Sequence, residues 1–106
     1  MATPPARDHR ISVNVGAAHT RRFREANPDP KAEKAGMFWR NGGLDDLMAQ
    51  KGCAGVRIYF GRGPDGTGNL VLVAVDAQGD DLSAGTVLEQ GIPCPPFCTA
   101  TGPLAG

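Results

Sequence analysis

The chain has 106 residues, with eleven Lys/Arg against eleven Asp/Glu, and 41% of it is hydrophobic. That is one domain's length with a core of modest depth, and zero net charge sets it apart from the strongly basic proteins that hold nucleic acid by charge alone. The longest apolar run, residues 70–75, is too short to cross a bilayer, and Pro and Arg stand near the start where a signal sequence would be apolar, so a cytoplasmic protein with no membrane contact is expected.

In chain order, residues 1–10 and 99–106 read as flexible tails around a single domain, 11–98. Residues 11–16 are ambiguous. Ile11, Val13 and Val15 alternate like a strand, yet Val15, Ala18, Arg22, Phe23 and Ala26 keep helical spacing behind Ser12, a good N-cap. The helix is preferred, over about 13–26, stopped by the sequence NPDP. Residues 27–42 read as a connection whose Met37, Phe38 and Trp39 fold back onto the core. A second helix is expected over about 43–51. It has Leu44, Leu47 and Met48 on one face, Asp45 and Asp46 in the first turn, Lys51 in the last, and Gly52 positioned to end it.

The strands come next. Residues 54–61 alternate Val56, Ile58 and Phe60 with Arg57 and Tyr59; a GRGPDGTG loop leads into a β-branched run, 69–76; a third strand fits 85–90. The expected fold is α+β: a three-stranded antiparallel meander with one or two helices packed on one face.

Several motifs resemble sites without meeting their requirements. Gly61, Gly63 and Gly66 satisfy G-x-G-x-x-G, but a dinucleotide loop must run from strand into helix, and this one runs into a strand. A calcium loop begun at Asp76 would hold Asp81 and Val87 where Gly and a bidentate acid are needed. His9 and His19 have no nucleophile placed beside them by any motif, so no catalytic residue is assigned.

Cys94 and Cys98 enclose Pro95, Pro96 and Phe97, and four readings stay open. A zinc site would have to add Cys53 and a histidine from other elements; Cys53, Cys94 and Cys98 are its only cysteine candidates. A redox centre wants thiols near free N–H donors, and two prolines remove two of those. A disulfide would close a loop of about five residues, worth roughly 2 kcal/mol in the chain-entropy picture. The preferred reading is two reduced, buried cysteines flanking an inserted Phe97. In either of the last two, Ile92, Cys94, Pro95, Pro96, Phe97 and Cys98 form a structural anchor for the tail, and Cys53 is a core residue.

Over residues 52–98 the chain resembles a group of small uncharacterised bacterial proteins that share G-[IV]-R-[IA]-Y-x-G, L-V-L-V-[GA]-V-D and P-C-P-x-[FY]-C, here GVRIYFG, LVLVAVD and PCPPFC. The resemblance implies that hairpin and cysteine tail are one structural unit, and it implies no activity.

Charge is unevenly spread: residues 1–40 carry eight Lys/Arg and four Asp/Glu, residues 41–106 three and seven. Such asymmetry, with a short sheet that leaves an edge free, suits a non-enzymatic interaction or assembly domain that binds a protein partner or itself and needs no cofactor. The alternatives are a metal- or thiol-linked protein using Cys94, Cys98 and Cys53, and a weak nucleic-acid-binding regulator using residues 19–24, whose basic run lacks interleaved aromatics.

Overall fold

Ser12 decides the first ambiguity. In the computed structural model, which describes residues 3–105, its hydroxyl accepts the backbone N–H of Val15 at 3.1 Å, and helix α1 runs Val13–Ala26. Capping one of the otherwise unpaired N–H groups favours helix over the competing strand. Asn27 closes the other end, its backbone and side-chain N–H groups both donating to Phe23 O at 3.0 Å.

Residues 27–42 are not a plain connection. They contain strand β1 (Ala35–Met37) and a 3-10 turn, Arg40–Gly42. Helix α2 follows over Leu44–Met48, shorter than the expected 43–51. Asp45 and Asp46 lie in its first turn as their charge requires, but the helix stops before Lys51. Gly52 does take a left-handed conformation (φ +84°), within the turn that follows.

Strands β2 (Gly55–Arg62) and β3 (Gly68–Val75) pair antiparallel along their whole length, Gly55 opposite Val75 and Arg62 opposite Gly68. Gly66, at φ +85°, supplies the left-handed residue of the connecting turn, and Asp65 Oδ1 accepts the Thr67 N–H at 3.0 Å. The third strand, β4, is only Val87–Leu88. Gln50 holds it in place: its Nε2 donates to Leu47 O at 2.8 Å and its Oε1 accepts the Thr86 N–H at 2.9 Å. The sheet order is β2-β3-β4, and the fold is α+β with an antiparallel meander. A separate two-stranded ribbon joins β1 to β5 (Ile92–Cys94), Ala35 opposite Cys94 and Met37 opposite Ile92.

The core is small. Leu47 and Ala74 are fully buried and Leu72 nearly so, with Phe38, Leu44, Cys53, Leu70, Leu82 and Leu88 packed around them. Covering a leucine completely stabilises by roughly 1.5–3 kcal/mol. Of the two helices, only α2 contributes to this core. No residue of α1 is buried; Leu104, from the C-terminal segment, lies against Gly16 instead, and its carbonyl accepts from Arg24 Nη1 at 2.8 Å.

Candidate functional site

Side chains on a strand alternate between faces, so Val56, Ile58 and Phe60 share the face of their partners Ala74, Leu72 and Leu70. On β3 that face is core. On β2 it is exposed: Val56 by 37%, Ile58 by 53% and Phe60 by 92%. The length of α2 explains the difference. Five residues make a cylinder about 7.5 Å long, and this one rests on β3 and β4. One further strand spacing, about 4.8 Å, puts β2 beyond its cover. Among the described residues no strand pairs with the outer side of β2.

The hydrogen-bond pattern shows which backbone groups this edge offers. Gly63 N donates to Thr67 O at 2.8 Å, extending the β2–β3 register by one pair. Hydrogen-bonded pairs alternate in an antiparallel ladder, so Gly61, Tyr59, Arg57 and Gly55 bond inward to β3. The N–H and C=O groups of Val56, Ile58 and Phe60 therefore point outward. Leu82 N donates to Ala74 O at 2.8 Å, as the same alternation demands on the far side of β3.

The opposite face of β2 is polar and closed on itself. Asp81, bridged to Val75, accepts Arg57 Nη1 at 2.5 Å and also the Tyr59 hydroxyl. The Tyr59 hydrogen bond, then Arg57, holds the Asp81 carboxyl below its usual range. The hydrogen bond to Asp81 in turn raises both Tyr59 and Arg57. Asp81 thus ties the 76–82 turn to β2 and neutralises its central cation.

At the hairpin end, Phe60 forms one wall of a cleft of about 970 Å³, with Phe23, Phe38, Leu70 and Pro93 on the others. Asn69 Nδ2 donates to Glu89 Oε1 at 3.0 Å, while Asn69 Oδ1 is shielded from solvent without a partner. The remaining polar lining is Asn27, Glu33, Lys34, Arg62 and Glu89.

The anchor residues behave differently from expectation. Cys94 and Cys98 are joined as a disulfide, not a reduced pair. Phe97 is 68% exposed and plugs nothing. Closing the Cys94–Cys98 turn, with Phe97 N donating to Pro93 O at 3.0 Å, leaves the ring on the outside of the loop. What fastens the tail is backbone: Ile92–Cys94 pairs with Ala35–Met37, and Lys34 N donates to Cys94 O at 2.8 Å. Ile92, Cys94 and Pro95 are half-buried, while Pro96 and Cys98 are exposed. Cys53 packs against the core, its thiol directed at Gly55 O, and among the described residues no three His, Cys, Asp or Glu side chains gather as a metal site would require. In residues 19–24, Arg24 is engaged by Leu104, Arg22 contacts His19 Nδ1 at 2.8 Å, and Phe23 faces the cleft.

No protein-family model, curated protein or solved structure matches the chain.

Proposed function

We propose that this chain is a non-enzymatic interaction or assembly domain and that β2 is its docking strand. The observation that carries the reading is an eight-residue strand, unpaired on one side among the described residues, with Val56, Ile58 and Phe60 exposed beside its outward backbone groups. Proteins that need a solitary edge blunt it with lysine, proline or a bulge. Residues 55–62 contain neither lysine nor proline, the register runs without a bulge, and Arg57 is already bound to Asp81. Strand addition to such an edge takes its affinity from main-chain bonds and its selectivity from alternate side chains. The test is the amide NMR spectrum of labelled protein in buffer and in concentrated lysate of its own cell. We expect shifts or broadening confined to β2 and its neighbours and absent in Ile58→Lys. A chain that is monomeric in buffer and whose spectrum is unchanged in lysate, or one whose spectrum changes equally in the variant, overturns the reading.

The disulfide favours a second reading, a thiol-linked protein, since Cys98 is exposed and the pair closes a short loop. Equilibration with glutathione buffers tests it. Reduction within the range of cytosolic buffers supports a redox role in the cytoplasm, and a bond that persists there makes it structural and points to an oxidising compartment. Among the described residues no helix is long and apolar enough to cross a membrane.

A further inference from the structure

We infer that the occupant of the β2 edge is β2 of a second copy of this chain, paired antiparallel about a two-fold axis at Ile58 so that two three-stranded sheets become one of six strands; this rests on the reading of β2 as the docking strand.

Parity and charge select the register. The outward backbone groups belong to the even residues, Val56, Ile58, Phe60 and Arg62, so only registers that oppose even residues to even residues form bonds. Three of these lie near the middle of the strand. One opposes Arg57 to the partner's Arg57 and Tyr59 to the partner's Gly55, so the aromatic ring has no side chain across from it. A second opposes Val56 to the partner's Arg62, placing a cation against a methyl surface. The third opposes Ile58 to the partner's Ile58, Val56 to the partner's Phe60, Arg57 to the partner's Tyr59 and Gly55 to the partner's Gly61. Over residues 55–61 every pair is then apolar with apolar, cation with aromatic, or glycine with glycine, and Arg62 falls opposite the partner's Ala54, outside the strand. Each Arg57 arrives already neutralised by its own Asp81. The chain as a whole has no net charge to keep two copies apart. A strand of eight residues gives about 27 Å of edge on each side, and pairing it leaves no outward group of Val56, Ile58 or Phe60 unbonded.

The experiment uses the purified full chain. Size-exclusion chromatography with light scattering across the micromolar range should give twice the 11.0 kDa chain mass at the upper concentrations. Ile58→Lys brings two ammonium groups together at the axis and should elute as a monomer with an unchanged circular dichroism spectrum, because Ile58 is already more than half exposed. Register is read with cysteines in a Cys53→Ser background. Ile58→Cys should form a disulfide-linked dimer on mild oxidation. Val56→Cys should not, since its copies lie four residues apart along the strands, about 13 Å, beyond the reach of a disulfide. A wild-type chain that stays monomeric, a dimer that survives Ile58→Lys, or equal cross-linking of the two cysteine variants overturns the proposal. A monomer whose β2 amides still shift in lysate overturns the self-pairing alone. A monomer with no such shift overturns the docking strand as well.

Discussion

Asp81 carries more of this fold than its place in a surface turn suggests. Its carboxylate joins Tyr59 and Arg57 on β2 to the turn that leads toward β4, and the three groups shift one another's protonation. Asp81 sits below its ordinary 3.8 in the folded chain, so its contribution is present above that value and lost as pH falls through the folded pKa. Tyr59 sits above its ordinary 10.0, so its contribution is present below that value and lost as pH rises through the folded pKa. We therefore expect Asp81→Asn to unfold at lower urea than wild type between these limits, with the gap closing below pH 3.8 and above pH 10. Urea midpoints measured against pH check this; a gap independent of pH would show that the cluster contributes shape and not charge. The sequence marks Arg57 and Tyr59 as one face of a strand, but their tie to Asp81, more than twenty positions away, depends on how the turn folds back.

At the scale of elements, local chemistry was the reliable guide. Ser12 and the NPDP stop bound α1 at the residues expected from them, and the glycine-rich loop is a hairpin turn because β-branched residues follow it. Where local signals were weak, tertiary contacts moved the boundaries. β4 shrank to two residues, set by Gln50 reaching across from the end of α2, and β1 exists only because β5 lies beside it. A three-residue segment such as Ala35–Met37 has no periodicity of its own to read. Since α1 buries nothing in the core, its cap should matter locally. Ser12→Ala should cost the helix about 1 kcal/mol, seen as faster amide exchange over its first turns and lower helical circular dichroism, with little change in the unfolding midpoint of the sheet. A matching loss in the β2–β3 amides would mean that α1 and the sheet unfold as one unit.

The molecule as a whole combines a small core under α2, a backbone-paired ribbon that ends in the Cys94–Cys98 turn, and an uncovered strand at the sheet edge. Replacing both cysteines by serine should cost no more than about 2 kcal/mol, the loop-entropy value for so short a closure. We expect that cost to fall on the ribbon, with the Lys34 and Phe97 amides exchanging faster and those of β3 unchanged. Equal loss in β3 would place the ribbon inside the core's cooperative unit. Residue order alone determined the α+β class, the capped helix, the hairpin and its alternating faces, because caps, turn glycines and two-residue periodicity act over a few neighbouring positions. Only the tertiary structure decided that Phe97 faces solvent, that the tail is held by backbone pairing, and that Val56, Ile58 and Phe60 are left bare. These depend on how far a short helix reaches across a sheet and on which distant segments meet, and no run of neighbouring residues encodes either.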